Sequence, residues 1–154
     1  NVRDIDEQGL PGAFRILTSS SKEEADILAQ NIFEKGLERK ERVKKILEEV
    51  ELKISGKKSP LIFEGSEKWE LELLGIVASL LCNKYQKPVF LHKKGKIESP
   101  GGIRGPSGVN VVEAMKTCSE LLGTYGGHPQ AAGFRAKNKN LDKFKECLAE
   151  YFSD

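Results

Sequence analysis

From Leu121 to Phe134 the chain reads Leu-Leu-Gly-Thr-Tyr-Gly-Gly-His-Pro-Gln-Ala-Ala-Gly-Phe, which gathers Gly126, Gly127, one imidazole at His128 and a run of small residues. Glycine reaches positive φ without steric penalty and leaves room for a bulky ligand. Such a loop can therefore bring backbone N–H groups and a ring nitrogen up to an anion. His128 supplies the titratable group of the turn, and phosphate contact is the chemistry that follows. The same residues also fit a helix ending at Gly123, a tight glycine turn and a strand from about Ala131, where small residues merely permit close packing. Residue types alone leave both readings open.

A second candidate is Arg104, which stands among Gly101, Gly102 and Gly105. Its guanidinium is unobstructed and its five donors can fork onto a phosphate, although a surface arginine in a glycine-rich loop has the same composition. Lys93, Lys94 and Lys96 form a basic hairpin tip able to track a nucleic-acid strand, or simply to be solvated. Gln130 is placed to orient the loop or touch a substrate. His92 alternates with apolar residues and receives no role. Trp69 could serve as a stacking surface for a base, but its place among apolar residues favours the core.

No cluster of His, Cys, Asp or Glu at metal-ligand spacing is visible. Cys82, Cys118 and Cys147 form no C-x-x-C pair and fall among apolar helical residues, so buried free thiols are expected. With 154 residues, 38% hydrophobic and 31% charged, the chain has the composition of a soluble globular protein. A net charge of +2 means that any nucleic-acid contact must come from local clustering. No apolar run is long enough to cross a bilayer and no signal-peptide pattern opens the sequence, so a cytoplasmic protein with no membrane partner is expected.

The elements that must position these groups follow from periodicity and caps. Ser21 and Glu24 form a capping-box pattern opening a helix to about Leu52, with a middle that is polar all round. Residues 60–64 read as a buried strand, 67–85 as a helix apolar on nearly every side, and 89–92 as a second strand. Right-handed crossover makes the two strands parallel, and a hairpin through 93–96 adds an antiparallel one. Asn110 caps a helix that stops at Gly123. A strand over 132–136 and a last helix capped by Asn140 complete the chain. The expected fold is α/β, a mixed, mostly parallel sheet flanked by helices, with a long N-terminal connecting helix.

Gly126 to Gly133, Gly-Gly-His-Pro-Gln-Ala-Ala-Gly, resembles the GGHxQAAG signature of the DHH-associated domain of RecJ-like exonucleases, members of the DHH phosphoesterase superfamily. Gly75-Ile76-Val77-Ala78-Ser79, with Lys84-Tyr85 and Pro88-Val89 after it, is similar to a second stretch of that family. Ser99 to Gly105 matches its glycine-rich strand bearing one arginine, and Ala13 to Thr18 resembles its junction between catalytic domain and connecting helix. Two positions depart: Glu70-Leu71-Glu72 stands where the family has His-Pro-Gly, and Gly105 where it has serine.

The resemblance implies a division into 1–20, the end of a catalytic domain; 21–54, the connecting helix; and 55–154, the substrate-binding domain. Arg104, Gly126, Gly127, His128 and Gln130 would bind substrate phosphate, with a weaker contact from Arg3; Lys93, Lys94 and Lys96 are weaker contacts expected from their charge alone. The chain has no Asp-His-His triplet, so the divalent metal, manganese or magnesium, would belong to an upstream DHH domain of a longer chain, and this part alone would be inactive. The implied partner is single-stranded nucleic acid, DNA by the resemblance. The alternatives are the equivalent domain of an oligoribonuclease or cyclic-dinucleotide phosphodiesterase, and a free-standing nucleic-acid-binding module.

Overall fold

The computed structural model describes residues 10–153, so Arg3 lies outside the described residues. The chain divides into two compact units, Asn1–Lys45 and Ile46–Asp154. In the first, α1 (Gly12–Thr18) precedes the start of α2 (Lys22–Ile54). Half of the predicted capping box forms. The Glu24 N–H donates to Ser21 Oγ at 3.4 Å, but the Ser21 N–H donates to Ser19 Oγ at 3.3 Å, and the Glu24 carboxylate accepts from the Ser19 hydroxyl at 2.7 Å.

The second unit contains β1 (Ile62–Ser66), α3 (Leu71–Tyr85), β2 (Val89–Lys93), β3 (Glu98–Arg104), α4 (Val111–Thr117), β4 (Leu122–His128), β5 (Ala131–Lys137) and α5 (Leu141–Tyr151). The strands lie in the order β1-β2-β3-β5-β4. As predicted, α3 links β1 and β2 in parallel, and the next hairpin is antiparallel. The β3/β5 and β4/β5 pairs are also antiparallel, so the sheet is mixed rather than mostly parallel. The reason lies in the connections: parallel neighbours need a long crossover, whereas β2 to β3 and β4 to β5 are joined by short turns.

Alternation along the strands separates two faces. Phe63, Phe90, Ile103, Phe134 and Ala136 face one way and pack with Met115 of α4 and Phe144 and Leu148 of α5. The Phe134 and Phe144 rings lie 5.2 Å apart, and burying such a ring contributes about 1.5–3 kcal/mol. The opposite face receives α3, whose Leu73, Leu74, Val77, Ala78 and Leu81 are fully buried. That helix packs on β2 and β3, and the same face of β5 and β4 stays open to solvent. Trp69 is 1% exposed, and its indole N–H donates to Glu49 at 2.8 Å, so it belongs to the core.

Three expectations are corrected. The helix before the glycine-rich stretch ends at Thr117, not Gly123; a short 3-10 turn follows, and Leu122–His128 is an edge strand. Cys118 and Cys147 form a disulfide joining the end of α4 to α5, while Cys82 remains a buried free thiol. The two bonded cysteines are 29 residues apart with a whole hairpin between them, so sequence spacing carries no sign of their contact. Asn110 caps α4 as predicted, accepting from the N–H groups of Val112 and Glu113. Asn140 does not cap α5; its amide donates to the Leu121 carbonyl at 3.0 Å. No described helix is long and apolar enough to cross a membrane.

Candidate phosphate-binding site

The uncovered part of the α3 face is built almost without side chains. In antiparallel pairs, directly opposed residues share a face, so the register sets out two rows across β3, β5 and β4. One is Gly102, Gly133 and Gly126; the other is Arg104, Ala131 and His128. The Arg104 and His128 Cα atoms are thus about 10 Å apart, two strand spacings, with only the Ala131 methyl between them. Pro100, Gly102, Gly133, Thr124 and Arg135 line a shallow groove of about 450 Å³, bounded on the helix side by Leu71, Glu72 and Gly75.

Arg104 is positioned from the helix side. A Cβ on Gly75 would stand 3.3 Å from Arg104 Nη2, so the bare turn of α3 leaves room for the guanidinium. Arg104 Nη1 donates to its neighbour's carbonyl, Ile103 O, at 2.8 Å. Burial pushes the nearby Cys82 thiol pKa up, and the Arg104 charge partly offsets this.

The His128 end is fixed by the backbone. Pro129 and Gln130 form the turn between β4 and β5, and both of their carbonyls are held: Val111 N–H donates to Pro129 at 2.8 Å and Gly105 N–H to Gln130 at 3.0 Å. Gly127 has φ +142°, and a Cβ there would meet the Ala131 carbonyl and the Ala132 Cα at 2.6 Å. Glycine is therefore required at 127 by the hairpin itself. Gly126 differs, because a Cβ there would meet nothing within 4 Å. Its bareness serves no internal packing and leaves backbone accessible above the groove.

The structure thus brings together Arg104, Gly126, Gly127 and His128, with Gln130 contributing its carbonyl to the turn and its side chain exposed. Lys93, Lys94 and Lys96 do not join them. Lys93 ends β2, one strand over and four residues along from Arg104, a Cα distance of about 14 Å, and Lys94 and Lys96 lie beyond it in the turn before β3. Sequence reasoning passed over Arg135 and Thr124, which line the groove. The signal was available, since a strand through 131–137 puts Arg135 on the face of Ala131. A larger cavity of about 600 Å³, lined by Ile54, Lys57, Lys58, Tyr85 and Lys87, contains none of the candidate residues.

A guanidinium, an imidazole and bare glycine backbone on one face offer hydrogen-bond donors of the kind that oxyanions take. Among the described residues, no three His, Cys, Asp or Glu side chains group as a metal site.

The model of the DHHA1 domain matches residues 58–154. Single-stranded-DNA-specific exonuclease RecJ of Bacillus subtilis is 31% identical over 144 residues, covering 90% of this chain and 18% of that protein. The same-named protein of Thermus thermophilus is 37% identical over 79 residues, covering 51% and 11% respectively. The crystal structure of RecJ from Thermus thermophilus in complex with Mg2+ superposes with a TM-score of 0.80 at 27% identity, covering 92% of this chain and 22% of that one. The chain spans less than a quarter of each of these proteins. It belongs to the DHHA1 domain family, as a domain of the RecJ-like kind.

Proposed function

We propose that this chain is the nucleic-acid-binding part of a RecJ-like exonuclease acting on single-stranded DNA, with 55–154 as the substrate-binding domain and 21–54 as a connecting helix. The observation that carries this is the row Arg104, Ala131, His128 above a side-chain-free floor. Charged donors at its edge suit a phosphodiester, and the open glycine surface admits a strand without side-chain obstruction. The similarity to single-stranded-DNA-specific exonucleases supports the same substrate.

In this reading a preceding DHH domain of a longer protein holds divalent metal, which activates water for attack on the phosphodiester. The residues of this chain bind and orient. Arg104 neutralises phosphate charge, His128 donates from the opposite side, and the glycine backbone admits the strand closely, a positioning contribution. The chain by itself then binds single strands without cutting them.

The test is binding of labelled oligothymidylate to the 154-residue chain, compared with a duplex of equal length, together with incubation in Mn2+ and Mg2+. Preference for the single strand, weakened by Arg104→Ala and by His128→Ala, and no release of nucleotides are expected. Hydrolysis by the chain alone, or unchanged binding by both folded variants, overturns the assignment.

A further inference from the structure

We infer that Arg135 is a second phosphate contact, so that the groove takes an oligonucleotide track rather than a single phosphate; this rests on the strand-binding reading above. Ala131, Gly133 and Arg135 alternate along β5 on one face, the face of Arg104 and His128. Arg135 and Gly133 line the groove together with Gly102 and Thr124. Along β5 only Ala131 and Gly133 separate Arg135 from the row of Arg104, while Leu71 and Glu72 of α3 stand at the groove's helix side.

The separation decides what they can hold. Arg135 lies one strand over and four residues along from Arg104, a Cα distance of about 14 Å at a ~3.3 Å rise and ~4.8 Å strand spacing. That is too far for both to grip one phosphate. Two phosphates of one strand fit, the first between Arg104 and His128 and another further along at Arg135.

The floor supports the same use. A Cβ on Gly126 would touch nothing within 4 Å, and on Gly102 nothing nearer than 3.7 Å. Gly102 is bare because α3 packs against it, with the Gly75 backbone at 3.7 Å, whereas nothing in the fold requires Gly126 to lack a side chain, and its bareness keeps the surface free for the sugars and bases between two bound phosphates.

Glu98 aims the second arginine. Arg135 Nη1 donates to Glu98 Oε1 at 2.9 Å, with both side chains about half exposed. A guanidinium has five donors, so several remain for a phosphate while the carboxylate fixes the fork. Exposed pairs of this kind contribute little to folding, so sharing or exchanging the carboxylate for a phosphate leaves the sheet intact. The carboxylate nevertheless competes with the incoming anion.

The experiment compares thymidine 5′-monophosphate with a long oligothymidylate as ligands of the 154-residue chain, for wild type, Arg104→Gln, Arg135→Gln and Glu98→Gln, each checked for folding by thermal melting. Arg104→Gln weakens both ligands. Arg135→Gln weakens the oligothymidylate by about tenfold, the low end for a lost hydrogen bond to a charged group, and makes its salt dependence shallower by about 0.7 in log–log slope. Its monophosphate affinity stays at wild type. Glu98→Gln, which removes the competing carboxylate, strengthens oligothymidylate binding. Equal losses in Arg135→Gln and Glu98→Gln would reduce the pair to a structural ion pair and overturn the inference. So would wild-type oligothymidylate affinity in Arg135→Gln while Arg104→Gln is impaired, with the strand-binding reading intact. Failure of the wild-type chain to bind either ligand removes that reading and the track with it.

Discussion

The backbone N–H of Gly105 donates to the carbonyl of Gln130 at 3.0 Å, tying the end of the arginine-bearing strand to the turn that carries His128. The two halves of the candidate site are therefore held by main chain, independently of their side chains. The residue after Arg104 is constrained for a further reason: a Cβ on Gly105 would lie 2.7 Å from Val111 Cγ1, in the first turn of α4.

That contact yields a stability prediction. The family resemblance leads one to expect serine at 105, but Gly105→Ser in this chain forces Val111 or the hairpin to move. Such overpacking costs about 1–3 kcal/mol. Urea denaturation of the variant measures it, and an unchanged midpoint would show that Val111 yields freely.

Adjacent glycines should separate folding from binding. Gly127→Ala places a side chain at φ +142° and against the Ala131 carbonyl, so it destabilises the hairpin by about 1–3 kcal/mol. The Cβ of Gly126→Val has nothing within 4 Å, so its melting temperature stays near wild type while oligothymidylate affinity falls. The reverse pattern, a stable Gly127→Ala or full binding by Gly126→Val, would remove the argument that Gly126 is bare for a ligand.

How much of this was legible in the sequence depends on whether the deciding interaction is local. Asn110 and α4, or the alternation that puts Phe90 and Phe134 in the core, follow from residues a few positions apart. The glycine-rich stretch was legible as a place of close approach but not as a strand, because Leu122–His128 is held by pairing with β5 alone and its composition is poor in β-formers. Likewise, no local pattern says that β5 inserts between β3 and β4. That insertion puts Arg104 and His128 in one row and brings Arg135 onto their face. The Cys118–Cys147 bond is non-local in the same sense.

His92 gives the chain a predictable acid response. It is 3% exposed, neither ring nitrogen has a hydrogen-bond partner, and it packs against Phe63 and Phe134. Burial, reinforced by the charges of Lys94 and Lys53, lowers its pKa from 6.5 to about 4. Glu64, Glu67, Asp142 and Lys145 line the adjoining cavity. With the folded pKa below the unfolded one, the unfolded chain binds more protons between those values. The contribution to stability is complete above about pH 6.5 and is lost as pH falls toward 4, a change of about 3 kcal/mol. His92→Phe should flatten that part of the stability profile relative to wild type. Equal slopes in urea titrations of the two proteins would assign the acid response to other groups.

The last prediction concerns salt. The net charge is +2, and the cations on the open face are Arg135, which lines the groove, and Arg104 beside it, while Lys93 ends β2 and Lys94 and Lys96 follow in the turn before β3. Each phosphate neutralised on a single strand contributes about −0.7 to the slope of log K against log salt, so two arginines give a slope of about −1 to −2. Replacing Lys93, Lys94 and Lys96 together by glutamine should leave that slope unchanged, because a strand seated over Arg104 and Arg135 does not need the tip. A much steeper wild-type slope that collapses in the triple-lysine variant would place the nucleic-acid path along the hairpin tip and away from the glycine floor.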